Sequence, residues 1–135
     1  MKKIILDTNF LMIPGILNVD IFDEINTLMD EPYELFIMQG TTEELDNIID
    51  SQKGKFKQAA RLAKQLLKMK KIKTIKQKSL YMYPDSKDNV VDDAILAAAD
   101  GETIVATQDK NFKKLLNEKN IRTIVLRNKK QLELI

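Results

Sequence analysis

The chain has 135 residues, of which 44% are hydrophobic and 31% are charged, a balance typical of a soluble globular protein. We therefore expect one domain that covers residues 1–135. The sequence has no cysteine and no histidine, which excludes disulfides, thiolate metal sites and the commonest general base of enzymes. Any chemistry must come from carboxylates, hydroxyls, amides or amines.

The net charge of +2 hides a strong asymmetry along the chain. Between Ser51 and Pro84 there are 11 basic residues and no acid, which leaves 11 basic residues against all 20 acids in the remainder. Such a split within one small domain predicts an acidic site beside a basic surface.

Hydrophobic segments are short throughout the sequence. The run Ala94–Ala99 falls far below the roughly 20 residues that span a bilayer, and only Ile4–Leu6 separates the first lysines from Asp7. This start lacks the pattern of a secretory signal peptide. We therefore expect a cytoplasmic protein without a membrane partner.

Apolar periodicity predicts alternating strands and helices with short connections. The predicted strands are Lys3–Leu6, Glu34–Met38, Ile72–Ile75, Thr103–Ala106 and Thr123–Leu126. The predicted helices are Val19–Met29, Thr41–Asp50, Lys55–Lys70, Val90–Ala99 and Lys110–Glu118, and a Pro-containing loop is predicted at Tyr81–Lys87. This alternation predicts an α/β fold with three layers, α/β/α, around a central and mostly parallel sheet.

Acidic residues fall where this fold would place a binding site. In open α/β sheets the crevice lies at the carboxyl ends of the strands. Asp7 follows the first strand, and Asp109 follows the strand in TIVATQD. Glu44 lies in the first turn of the helix in TTEELDNI, and Asp92 and Asp93 lie near the start of the helix in DNVVDDAIL. We therefore expect these acids to meet at one edge of the sheet.

Each of these acids also has a purely structural interpretation. Asp7 and Asp109 suit helix N-caps, and Thr41 with Glu44 fits a capping box. If the carboxylates do gather, they repel one another and stay ionised only beside positive charge. Oxygen ligands without histidine or cysteine favour a hard cation, Mg²⁺ or Mn²⁺, and such an ion can activate water against a phosphodiester.

Four segments in chain order resemble the PIN-domain family of metal-dependent ribonucleases: LDTNFL, the EEL of TTEELDNI, VDDAILAAA and ATQDKNF. The resemblance covers nearly the whole chain and implies a central parallel sheet between helices. It implies metal-binding acids at Asp7, Glu44, Asp93 and Asp109, with Asp92 as a fifth. It also implies catalytic-site roles for two polar residues, Asn9 after the first acid and Thr107 before the last one.

The function that this resemblance implies is a Mg²⁺- or Mn²⁺-dependent endoribonuclease that hydrolyses phosphodiester bonds of single-stranded or structured RNA. Two versions stay open: an RNA-processing enzyme near the archaeal ribosomal-RNA branch, with a ribosome-assembly partner, and a VapC-like toxin with a protein antitoxin. A third hypothesis is a non-catalytic RNA-binding module whose acids are structural. A homodimer is left open in each case.

The basic segment predicts an electrostatic track for the RNA backbone. The alternative is an amphipathic helix whose lysines only keep it soluble. The residues that we assign to RNA binding are Lys53, Lys55, Lys57, Arg61, Lys64, Lys68 and Lys71. Tyr81, Tyr83 and Phe56 flank or interleave this segment and are candidates for stacking on unpaired bases, although for Phe56 a place in the core is the expectation.

Overall fold

The computed structural model describes residues 1–76 and 90–135. Its strands are β1 (Lys2–Leu6), β2 (Tyr33–Met38), β3 (Lys73–Ile75), β4 (Thr103–Ala106), β5 (Arg122–Arg127) and β6 (Gln131–Leu134). Its helices are α1 (Thr8–Leu11), α2 (Ile13–Leu17), α3 (Ile21–Leu28), α4 (Gln39–Ser51), α5 (Gly54–Met69), α6 (Val90–Ala98) and α7 (Lys110–Glu118). The strands form one six-stranded sheet in the order β3-β2-β1-β4-β5-β6. All pairings are parallel except that of β5 with β6.

Helices cover both faces of the sheet. In β1, Ile4 and Leu6 point to one face, where they pack with residues of α3, α4 and α5. Ile5 points to the other face and packs against α6 and α7. This alternation is the period of two that a strand imposes on its side chains, and it confirms the three-layer α/β/α class that the sequence predicts.

The predicted elements all appear within residues 1–76 and 90–135, with ends that differ by a few residues. The loop predicted at Tyr81–Lys87, together with Tyr81 and Tyr83, lies outside the described residues. No helix in the described part of the chain is long and apolar enough to span a bilayer.

Three elements were not predicted: α1, α2 and β6. The α2 segment contains Pro14 and Gly15, which count against a helix in general. Pro14 is tolerated because it occupies the first turn, where its missing N–H is not needed. The turn before β6 has Asn128 and Lys129 at φ 52 and 59, a conformation that lysine seldom adopts, so the sequence gives no clear turn signal there.

Strand register sets the position of the acids. Leu6 pairs with Ala106 across β1 and β4, and the N–H of Asp7 donates to the carbonyl of Ala106 at 2.9 Å. Asp7 and Thr107 therefore leave the sheet side by side at its carboxyl edge. Helix α4 follows β2 without an intervening loop, so Glu44 is brought to the same edge.

Candidate active site

Four carboxylates from four parts of the fold line one cavity of about 610 Å³ at the carboxyl edge of the sheet. We call it the carboxylate cavity, and its acids are Asp7, Glu44, Asp92 and Asp109. Among the described residues that line it there is no lysine or arginine. The described lining of the cavity therefore concentrates negative charge.

Asp7 lies at the bottom of this cavity and is 4% exposed. Its Oδ1 accepts the N–H of Thr8 at 2.9 Å and so caps α1, while its Oδ2 accepts the hydroxyl of Thr107 at 2.8 Å. Burial raises the pKa of Asp7 above 3.8, and the bonds from Thr107 and Thr8 oppose that rise. The N-cap interpretation of Asp7 is confirmed, and it does not compete with a place in the cavity.

Asp109 also caps a helix from within the cavity. Its Oδ1 accepts the N–H groups of Asn111 and Phe112 at 2.9 and 3.1 Å, at the start of α7. Its own N–H donates to the Thr107 hydroxyl at 3.1 Å. Thr107 is fully buried, so it positions the two acids and does not reach the cavity surface.

Asn9 and Gln108 tie α1 to the loop between β4 and α7. The Asn9 side-chain oxygen accepts the N–H of Gln108 at 3.3 Å, and Gln108 Nε2 donates to the Asn9 carbonyl at 3.0 Å. Both residues line the carboxylate cavity. Asn9 was predicted from the sequence, whereas Gln108 was missed because its role depends on a contact made across 99 residues.

Glu44 lies half-buried between Thr8 and Asp7. Burial raises the pKa of Glu44, the Thr8 hydroxyl lowers it and the charge of Asp7 raises it further. The capping box predicted for Thr41 and Glu44 is wrong, because α4 begins at Gln39 with Met38 as its N-cap. Thr41 is instead fully buried, and its hydroxyl accepts a bond from Thr8 at 3.2 Å.

Asp92 has a strongly raised pKa. Burial, followed by the charges of Asp7, Asp109, Glu44 and Asp93, raises the pKa of Asp92 from 3.8 to about 7. The resemblance assigns Asp93 to the metal set and Asp92 as a fifth member. In the structure Asp92 lines the carboxylate cavity, whereas Asp93 lines a neighbouring cleft with Asp92 and Asp109.

The donor set fits a hard divalent cation. All of its candidate ligands are oxygens, and among the described residues that line the cavity no cationic side chain neutralises them. Within residues 1–76 and 90–135, no three acids lie at the close spacing of a preformed metal-binding cluster. Mg²⁺ keeps several of its waters and needs only one or two direct carboxylate ligands, so the remaining acids would contact the ion through those waters.

One wall of the carboxylate cavity is apolar. We use the term apolar wall for the four apolar residues of its lining, Met12, Ile16, Ile48 and Phe56, none of which was predicted to meet the acids. The expectation that Phe56 lies in the core is wrong, because its side chain is 53% exposed. Phe56 occupies the first turn of α5, before the buried face that begins at Ala59.

The seven basic residues predicted to bind RNA are spread along α5 and its two flanks, and only some of them lie near the cavity. Lys53, Lys55 and Lys57 neighbour Gln52 and Phe56, which line it. Lys71 instead lines a groove of about 930 Å³ with Met1 and Pro32, at the opposite edge of the sheet. A helix of 16 residues is about 24 Å long, so Lys68 and Lys71 lie far from the acids.

The remaining predicted RNA-binding residues lie along the middle of α5. Arg61 is exposed, whereas Lys64 forms an ion pair with Asp46 of α4. In the 930 Å³ groove, Glu34 pairs with Lys73 and Glu31 with Lys2. Two acids of that groove are thus paired with lysines, whereas no ion pair to the acids of the carboxylate cavity is found among the described residues.

Comparison with known proteins identifies the family. The model of the family described as "PIN like domain" matches residues 4–129. The chain belongs to the PIN-like domain family. Its place in this family agrees with the resemblance carried by the acidic segments of the sequence.

The matches to known proteins cover nearly the whole of this PIN-like chain. It is 36% identical to the protein named Ribonuclease VapC4 of Methanocaldococcus jannaschii over 138 residues, which is 99% of this chain and 97% of the relative. Its fold is similar to a structure titled as the PIN domain endonuclease Utp24, with a TM-score of 0.73, 19% identity and coverage of 98% and 90% of the two chains. A domain of a functionally unknown protein from M. jannaschii matches with a TM-score of 0.61 and 17% identity, covering 94% and 92%.

Proposed function

We propose that this chain is a divalent-metal-dependent endoribonuclease whose active site is the carboxylate cavity. The observation that carries the proposal is that four acids from separate elements line one cavity. Among the described residues of that lining there is no lysine or arginine. Carboxylates placed in this way repel one another, and burial together with that repulsion raises the pKa of Asp92 to about 7. A bound cation relieves it.

The similarity to a named ribonuclease supports the reaction class. The 36% identity to Ribonuclease VapC4 extends over 99% of this chain, so the matched region spans the part of the chain that forms the carboxylate cavity. The likeness to the Utp24 endonuclease supports the fold alone, since the two chains share only 19% identity.

The residues of the cavity have distinct roles in this proposal. Asp7, Glu44, Asp92 and Asp109 would hold Mg²⁺ or Mn²⁺, with Asp93 beside them. When bound, such an ion lowers the pKa of a water molecule and offsets negative charge on the phosphodiester. Water is then the nucleophile, which accounts for an active site without histidine or cysteine.

Positioning residues keep the acids in place. Thr107 holds Asp7 and Asp109 through one hydroxyl, and Asn9 with Gln108 fixes α1 over the loop that carries Asp109. These bonds limit the side-chain motion that would otherwise scatter the ligands. Preorganised ligands are what a metal site with few direct protein contacts requires.

A toxin ribonuclease controlled by a protein antitoxin is the second candidate. The name of the relative VapC4 favours it over the ribosomal-RNA-processing role. Expression in a bacterial host tests it: a toxin arrests growth, Asp7→Asn relieves the arrest, and a small protein encoded beside the gene also relieves it. Three further expectations stay predictions: processing of ribosomal RNA with an assembly partner, a homodimer, and a cytoplasmic location.

The experiment that tests the reaction is incubation of labelled single-stranded and structured RNAs with the purified protein. Reactions contain Mn²⁺, Mg²⁺ or EDTA. The proposal predicts internal cleavage with either metal and none with EDTA. RNA binding without cleavage under every metal condition would instead support the non-catalytic binding module.

A further inference from the structure

Phe56 is a large apolar side chain that is exposed to solvent in the first turn of α5. The other four phenylalanines of the chain are buried or half-buried, whereas Phe56 is 53% exposed. It lies at the start of α5, and Gly54, at φ +62, sets the direction in which that helix leaves the loop. A large aromatic ring open to solvent loses the favourable transfer out of water that its burial would give.

The surroundings of Phe56 match the parts of a nucleotide. The ring lines the carboxylate cavity together with Met12, Ile16 and Ile48, and the four acids line the same cavity. A volume of about 610 Å³ is within the range of small-ligand sites. The cavity thus offers an apolar surface for a base and a carboxylate set for a metal-bridged phosphate.

Positive charge flanks the ring. Phe56 lies in the sequence KGKFK, directly between Lys55 and Lys57 and three residues after Lys53. Within the described part of the chain none of these three lysines forms an ion pair, in contrast to Lys64 on the same helix. Aromatic rings interleaved with unpaired basic side chains are typical of surfaces that bind single-stranded nucleic acid.

The position of α5 is fixed tightly enough to hold such a ring in place. Gly15 of α2 lies so close to α5 that an added Cβ would come within 2.4 Å of the Ala59 Cα. Ala59 and Ala60 are fully buried one turn after Phe56. The start of α5 is therefore packed against α2, which fixes the backbone that carries Phe56 beside the cavity.

We propose that Phe56 stacks on an unpaired base of the RNA strand whose phosphate lies in the carboxylate cavity, and that this makes the protein selective for single-stranded sites. The proposal rests on the proposed ribonuclease function for its substrate. A base within a duplex is already stacked and paired, so it cannot present its face to Phe56. A protein segment on the same apolar wall is the competing occupant, and the test separates the two.

The test measures binding of short fluorescent probes in Ca²⁺, a hard cation that also takes oxygen ligands, and gel analysis of each sample verifies that the probes stay intact. The probes are an adenine-rich single strand, the same strand with abasic sites that keep every phosphate, and a duplex. The proteins are wild type, Phe56→Ala, Phe56→Trp and the matched control Met69→Ala, which removes a 73% exposed side chain from the far end of the same helix.

Phe56→Ala should weaken binding of the adenine-rich strand by about fivefold or more, as expected for one lost stacking contact. Its affinities for the abasic strand and the duplex should stay near those of wild type. Phe56→Trp should retain affinity and Met69→Ala should have no effect. Unchanged urea unfolding of Phe56→Ala shows that the loss is local.

Equal affinity of wild type and Phe56→Ala for the adenine-rich strand would overturn the proposal and leave the wall to a protein partner. An equal loss on the abasic strand would overturn it as well, because the contact would then be with the backbone. Failure of the proposed ribonuclease function would give a different result. Binding would still depend on the base and on Phe56, but no RNA would be cut with Mn²⁺ or Mg²⁺.

Discussion

The hydroxyl of Thr107 donates to Oδ2 of Asp7 at 2.8 Å and accepts the N–H of Asp109 at 3.1 Å. Since the hydroxyl has one hydrogen, the bond from Asp109 leaves that hydrogen directed at Asp7. Thr107 therefore couples two acids that come from strands β1 and β4. It also lowers the pKa of Asp7 against the opposing effect of burial.

Thr107→Val should reduce cleavage at neutral pH and restore part of it at higher pH. Valine keeps the shape of threonine but removes the bond that lowers the pKa of Asp7, so protons compete more strongly with the metal. One hydrogen bond to a charged group corresponds to a rate loss of about tenfold or more. The pH profile of kcat/KM measures this. Thr107→Ser should remain close to wild type, and a Val variant with an unshifted profile would contradict the positioning role.

The sequence predicted the fold well because its strands are short apolar runs bounded by helices with clear periodicity. Ile4, Ile5 and Leu6 are all fully buried, as a central parallel strand requires. The α2 helix could not be predicted, because the effect of Gly15 depends on its contact with Ala59, 44 positions away in the numbering.

The candidate site was predictable in part. Acids at strand ends such as Asp7 and Asp109 follow from topology. The choice between Asp92 and Asp93 depends on the rotation of one helix, and neighbours on a helix point in directions that differ by about 100°. The exposure of Phe56 was not predictable, since an apolar residue at helical spacing is ordinarily assigned to the core.

Asp92→Asn should stabilise the protein at pH 8 and have little effect at pH 4. The folded protein holds the proton of Asp92 more tightly than the unfolded chain does, because burial and nearby acids raise its pKa from 3.8 to about 7. The free energy of unfolding therefore falls as the pH rises through this window. For a half-buried group, solvent screening limits the gain at pH 8 to about 1–2 kcal/mol.

Urea unfolding with chelated metal at both pH values measures this gain. Glu43→Gln is the control, since Glu43 is an exposed acid on α4, and its effect should stay within about 0.5 kcal/mol. An equal gain from Asp92→Asn at both pH values would contradict the electrostatic explanation.

Lys53→Gln with Lys55→Gln should flatten the salt dependence of single-stranded RNA binding. These lysines neighbour the cavity-lining residues Gln52 and Phe56, and each phosphate contact contributes about 0.7 to the slope of log K against log salt. We expect the slope to fall by about 1 for the pair. The matched control is Lys68→Gln with Lys71→Asn at the far end of α5, where asparagine suits the φ of 53 at Lys71.

The far pair should leave the slope unchanged if RNA binds beside the carboxylate cavity. A larger effect from Lys68 and Lys71 than from Lys53 and Lys55 would place the RNA along the opposite end of α5.

Gly15→Ala should destabilise the protein by about 2 kcal/mol or more, because overpacking forces α2 and α5 apart. Its Cβ would come within 2.4 Å of the Ala59 Cα and 2.6 Å of the Ala59 Cβ. Gly101→Ala is the control, since nothing lies within 4 Å of a Cβ at that position. Thermal unfolding of both variants measures the difference, and equal melting temperatures would contradict close packing of α2 on α5.

Asp7→Asn removes the charge of the buried Asp7 side chain and keeps nearly the same side-chain shape. Its amide oxygen can still accept one bond, from Thr8 or from Thr107, and the loss of the other costs about 1 kcal/mol. Reduced repulsion within the carboxylate cavity offsets that cost. The free energy of unfolding should therefore remain close to that of wild type when metal is chelated.

Cleavage of a labelled single-stranded RNA by wild type and Asp7→Asn, side by side with Mn²⁺ and with Mg²⁺, tests the metal-dependent carboxylate site most directly. Equilibrium unfolding of the same samples reports their stability. We predict a folded Asp7→Asn protein without detectable cleavage under either metal. A variant that cuts the RNA at the wild-type rate would show that Asp7 only caps α1 and would contradict the proposed mechanism.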